Sequence, residues 1–203
     1  MATVSTERTL PFDAAVDAGI TTAEAALKAF IAQADPAFKA LADKARIVVK
    51  SENPRAIPDV PIRVRDLKKL WSKINFVVTD KVYPPGYGGS FDYDSATSHI
   101  RYDTVNGWHA HPGGLALIVL HELLHSTREG AAVWKKQWKE YRKDCRRRRV
   151  KDDEGKHYWT SPFFSEVEEF CYHGSRELMR ALGLPPYAGP NFDHGYDYGN
   201  LAK

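Results

Sequence analysis

The stretch LALIVLHELLHS, residues 115–126, decides how the rest of the chain is read. Six apolar residues in succession, Leu115 to Leu120, lead directly into His121-Glu122-Leu123-Leu124-His125. On an α-helix, positions i and i+4 lie one above the other on the same face, so both imidazoles reach one point. Imidazole nitrogen binds Zn²⁺ at about 2.0–2.1 Å, and catalytic zinc sites use three protein ligands and leave one position open. Glu122 is turned about 100° around the helix from His121. It therefore stands beside such a metal as a base for water and not as a ligand. The apolar lead-in predicts a helix buried through the core, with its histidines at the wall of a cleft. Pro112-Gly113-Gly114 suits its start.

A third ligand must come from elsewhere. The extended pattern HExxHxxGxxH requires histidine at 131, where Ala131 stands, and no histidine lies between His125 and His157. The next acid-rich stretch is SPFFSEVEEFCYHGSRELM, Ser161–Met179, predicted helical from a serine N-cap and an N1 proline. Glu166, Glu169 and His173 are spaced i, i+3, i+7 and share a face. Val167, Phe170, Cys171, Gly174 and Leu178 form the adjoining apolar face. A carboxylate on the border of a buried stripe is costly unless it is paired or bound to a cation. Glu169 is the favoured third ligand, with His173 one turn later as its outer partner. Glu166 is the rival ligand, and Glu168 is expected to face solvent.

HELLH followed 44 residues after its second histidine by Glu169-Phe170 resembles the zincins whose third ligand is a glutamate on a downstream helix. Among these, the chain is most similar to lethal-factor-like toxins and to small HExxH effector metallopeptidases of bacterial secretion systems. SHIRYD, VLHELLHS and VEEFCYHG carry the likeness, over roughly residues 98 to 175. The resemblance implies zinc bound by His121, His125 and Glu169, with Glu122 as the catalytic carboxylate of an endopeptidase. It also implies a tyrosine upstream of the glutamate ligand that supports the transition state. Tyr158 is the candidate, 11 residues before Glu169. His157 and His173 are further oxyanion donors by proximity in sequence. The SHIRYD strand, with Ser98, His99, Ile100, Arg101 and Tyr102, is expected to be a sheet edge on which an extended peptide substrate adds a strand.

Outward from these segments, the order is helices, a few strands with a hairpin, then helices, which is α+β. The expected architecture is zincin-like: a small mixed sheet with an edge strand above the HExxH helix, then a helix carrying the third ligand. Thr22 to about Ala45 reads as two helices broken at Asp35-Pro36. Arg46–Lys50 and Asn75–Asp80 read as strands and Arg65–Ile74 as a helix. SENPRAIPDVPI, with three prolines, reads as an irregular connection. Residues 1–60 form an N-terminal helical region packed on a metallopeptidase domain of 61–203, together one unit.

The 203 residues carry 29 Lys/Arg and 26 Asp/Glu, for a net charge of +3. With 43% hydrophobic and 27% charged residues the composition is that of a globular protein, and no apolar run approaches a membrane span. Cys145 and Cys171 are too few for a disulfide framework and read as reduced thiols. No basic-then-apolar leader is visible, so the expected location is the cytoplasm, or export as an effector without a cleavable signal peptide. Between Trp134 and Lys151, ten Lys/Arg face only Glu140 and Asp144, a net +8, so the remainder carries −5. This island, including Arg146–Arg149, points to a solvated helix or an acidic partner, with nucleic acid the less favoured one. Two other functions compete: a nucleic-acid-associated protease using segment 134–151, and a zinc-stabilised binding module that turns nothing over.

Overall fold

The computed structural model describes residues 1–50, 59–81, 89–92, 95, 97–149 and 162–189. In chain order the elements are β1 (Thr3–Glu7), α1 (Ala14–Ala40), β2 (Arg46–Val49), β3 (Val60–Arg63), α2 (Val64–Trp71) and β4 (Asn75–Thr79). There follow β5 (Gly89–Asp92), β6 (Thr97–Arg101), α3 (Tyr102–His109), α4 (Gly114–His125), α5 (Arg128–Arg148) and α6 (Pro162–Ala181). The chain is α+β.

Four strands form one sheet in the order β1-β4-β6-β5. β1, β4 and β6 run parallel, and β5 returns antiparallel to β6, with Gly89 opposite Ile100 and Phe91 opposite Ser98. β6 is therefore interior, and the expectation that Ser98, His99, Ile100, Arg101 and Tyr102 form an edge is corrected. The edge on that side is β5, and Tyr102 opens α3. Two flanking strands satisfy both backbone edges of β6, leaving nothing for an added peptide. Within β6, Ser98 and Ile100 are buried, while His99 faces Glu7, its Nε2 3.4 Å from the carboxylate.

β2 and β3 pair in a separate hairpin, Arg46 opposite Arg63 and Val49 opposite Val60. Val60-Pro61-Ile62 is thus strand, not irregular connection. The ladder crosses residue 60, and β1 supplies a strand to the main sheet, so the N-terminal residues are built into the fold.

α1 is one helix, not two. Its N-cap Asp13 accepts from the amides of Ala15 and Val16 at 2.8 and 3.2 Å. Ile20, Ala23, Leu27, Phe30, Ile31, Ala34 and Phe38 are buried at helical spacing. Pro36 removes one backbone hydrogen bond and costs about 3 kcal/mol in a helix interior. The packing on either side outweighs it. Phe38 stacks on Trp71 at 4.3 Å, and the Trp71 indole donates to the buried Asp35 carboxylate at 3.2 Å.

α4 is buried along all twelve residues, as its apolar lead-in requires. It packs against α6, and Gly174 sets how closely. A Cβ there would stand 2.6 Å from Leu124 Cδ1 and 3.1 Å from Val49 Cγ2. Gly174→Val is expected to lower stability by about 1–3 kcal/mol through overpacking. An unchanged urea midpoint would show that the spacing is set elsewhere.

Both cysteines are free and buried. Among the described residues, no helix is long and apolar enough to cross a membrane.

Candidate metal centre

The i, i+4 spacing on α4 brings His121 and His125 together with their Nε2 atoms 3.2 Å apart and their rings crossed at 70°. Glu168 of α6 completes a triangle. Its Oε2 lies 3.1 Å from His121 Nε2 and its Oε1 3.2 Å from His125 Nε2. Each of the three residues is 8% exposed. Among the described residues this is the group of histidine and acid side chains that could hold a metal ion.

The donor set fits a small divalent cation. A metal held by tetrahedrally disposed ligands at 2.0–2.1 Å keeps its donors about 3.3–3.4 Å apart. The observed 3.1–3.2 Å is close to that edge length. Two imidazoles and one carboxylate also match the ligand types of hydrolytic zinc sites.

Electrostatics tie the three groups together. Burial pushes the Glu168 carboxyl up, but the His125 charge and the His121 hydrogen bond outweigh it and hold the group well below the usual carboxylate range. His125 shows the converse. Burial would lower it, yet Cys171 and Glu168 raise it well above the ordinary imidazole value. Cys171, three residues after Glu168, lies close enough to His125 to raise it. Burial pushes its thiol up to about 11, so it stays neutral beside the ring.

Glu122 sits beside this triangle without joining it. Ser98 Oγ donates to its Oε2 at 3.1 Å, from the buried face of β6. Its Oε1 lies against the backbone of β5, where a Cβ on Gly89 would come within 2.7 Å of it. Burial raises the Glu122 carboxyl, opposed by the charges on His125 and His121.

The third acid is the main correction to the sequence reading. Glu169 is not in the triangle; it is partly buried and its Oε1 has no hydrogen-bond partner among the described residues. Glu166 accepts a hydrogen bond from Gln137 of α5. Glu168, expected in solvent, is the residue that meets the histidines. The apolar stripe of α6 has two borders, each about 100° from Val167. Glu166, Glu169 and His173 follow one border. Glu168 and the fully buried Ser175 follow the other, beside Cys171, and that side faces α4. The signal in the sequence is small: Cys171 and Ser175, at i+3 and i+7 from Glu168, carry the compact side chains that a close helix contact needs.

His173 packs its ring against Tyr172 at 5.5 Å and is not one of the grouped side chains. His109 and His111 are not grouped either; Tyr187 packs beside His111 and Trp108. Tyr158 and His157 lie outside the described residues. Gly89, and Ser98 as a partner of Glu122, were not anticipated in these roles.

Comparison with protein-family models, curated proteins and solved structures finds no significant match for this chain.

Proposed function

We propose that the chain is a zincin-like zinc endopeptidase. The observation that carries this reading is the pairing of two carboxylates of different standing. Glu168 closes on the two imidazoles, and Glu122 is buried alongside them with Ser98 as its side-chain hydrogen-bond partner among the described residues. A set of two imidazoles and one carboxylate also suits non-haem iron. The second carboxylate favours hydrolysis, because it is placed to take a proton.

His121, His125 and Glu168 would hold the zinc. When bound, zinc polarises a carbonyl oxygen and lowers the pKa of water toward neutrality. Glu122 takes the proton of the attacking water on Oε1, since Oε2 is held by Ser98, and delivers it to the leaving amine. Burial, by raising the Glu122 carboxyl, brings its basicity closer to working pH. β5 has no neighbour on its outer side among the described residues, so an extended peptide can pair along Gly89–Asp92. That would lay the substrate backbone directly beside Oε1 of Glu122.

Incubating the zinc-loaded protein with a proteome-derived peptide mixture tests this reading by mass spectrometry. New termini that vanish on chelation and return with zinc support it. No cleavage of any peptide by fully loaded protein counts against it and favours a zinc-stabilised binding module.

Gly89→Ala is expected to leave zinc bound but cut hydrolysis about 10²-fold, because displacing a reacting group by about 1 Å costs that much. Normal turnover in this variant would show that Glu122 tolerates a shifted position.

A further inference from the structure

Nine cations run from Lys135 to Arg149, and all are exposed. Lys136 lies toward Glu166, and neighbours divide the other eight. On one flank Lys143 pairs with Glu140 at 3.9 Å, and Arg147 and Arg148 pair with Asp144 at 2.5 and 2.8 Å. On the other, Lys135, Lys139, Arg142 and Arg146 recur at i, i+4, i+7 and i+11, forming one straight stripe that the left-handed C-cap Arg149 extends. None of these five has a carboxylate partner among the described residues. The stripe is about 21 Å long at 1.5 Å per residue. Along its inner border Trp134 and Trp138 lie parallel, 11° apart with centroids at 6.2 Å, and the Arg142 guanidinium sits 5.9 Å over Trp138.

We propose that this stripe docks the backbone of a single-stranded nucleic acid, a function separate from the metal centre. Charge complementarity selects the partner. A line of five unneutralised cations about 21 Å long matches the regularly spaced phosphates of one nucleic-acid strand and follows one backbone, not the two that a duplex presents across a groove. Aromatic rings beside a cationic track are the companion feature of single-strand binding, because every base has a face to stack. A lipid surface fits less well. Among the described residues α5 carries no exposed large apolar side chain to enter a bilayer interface.

Fluorescence anisotropy of a labelled mixed-sequence DNA strand of about twenty nucleotides, titrated with the 203-residue protein across a salt series, provides the test. The expected slope of log affinity against log salt is about −3.5 for five contacts. The triple variant Lys139→Glu/Arg142→Glu/Arg146→Glu is expected to reduce that slope by about 2 and to weaken binding at least about 30-fold. Arg147→Glu/Arg148→Glu, on the paired flank, is expected to change affinity by less than about threefold. Circular dichroism and zinc content, unchanged in both variants, separate docking from folding and from the metal site. Equal losses in the two variants would overturn the proposal, as would a salt slope near zero. Tighter binding to a matched duplex, to polyglutamate or to phosphatidylglycerol vesicles would do the same by assigning the stripe to another partner.

Discussion

Glu168→Ala is expected to weaken zinc binding by about 10²–10³-fold, while Glu169→Ala leaves it within a few fold. Structural zinc sites with four ligands bind with roughly 10–16 kcal/mol, or about 2.5–4 kcal/mol for each ligand. Losing one of three protein ligands forfeits a share of that size, which converts to the stated factor. Glu168 contacts both ring nitrogens at 3.1 and 3.2 Å, whereas Glu169 is outside the grouped side chains. Competition against a chromophoric chelator measures both variants directly. Glu168→Gln, which keeps the volume and removes the charge, separates loss of the ligand from collapse of the buried site. Zinc loss in the Glu169 variant alone would place the opposite border of α6 against the histidines.

The second large effect belongs to Glu122. Glu122→Gln is expected to retain zinc and to lose about 10²–10⁴-fold in peptide hydrolysis, the contribution of a positioned general base. The amide can still accept from Ser98 Oγ, so the local packing survives, but neither of its terminal atoms can take up a proton from water. His121→Ala, by contrast, is expected to lose zinc and activity together. Parallel measurement of metal content and cleavage of the peptide mixture distinguishes the two outcomes. Full turnover by the Gln variant would remove Glu122 from proton transfer.

Where local pattern and tertiary burial agree, residues alone suffice. α4 is the clearest case: an apolar run ending in HELLH has no other way to bury its length and still bring two imidazoles to one point. The strands at Arg46–Val49 and Asn75–Thr79 and the β5–β6 hairpin follow in the same way from β-branched content and turn spacing. Sheet order does not. Hairpin periodicity pairs β5 with β6 but cannot say which of them lies outside. That depends on the parallel pairing of β6 with β4, two strands apart in sequence. Asp35-Pro36 misleads for a related reason, since the packing of Phe38 and Asp35 against Trp71 is invisible in a local window.

The third acid shows the same limit at the site itself. Helical spacing divides Glu166, Glu168 and Glu169 between faces of α6 but does not say which side meets α4. Gly174 and Ser175 mark the close contact, because only small side chains allow the helices to approach around Leu124. Local pattern places Cys171 on the apolar face, and its closeness to His125 depends on that same side being turned inward.

A crystal of the zinc-loaded protein, with anomalous diffraction recorded on both sides of the zinc absorption edge, tests the metal centre most directly. The expected result is one strong zinc peak within about 2.0–2.2 Å of His121 Nε2, His125 Nε2 and a Glu168 carboxylate oxygen, with Glu122 outside bonding distance. A peak at the iron edge, a peak ligated by Glu169 or Glu166, or no peak after loading would contradict it.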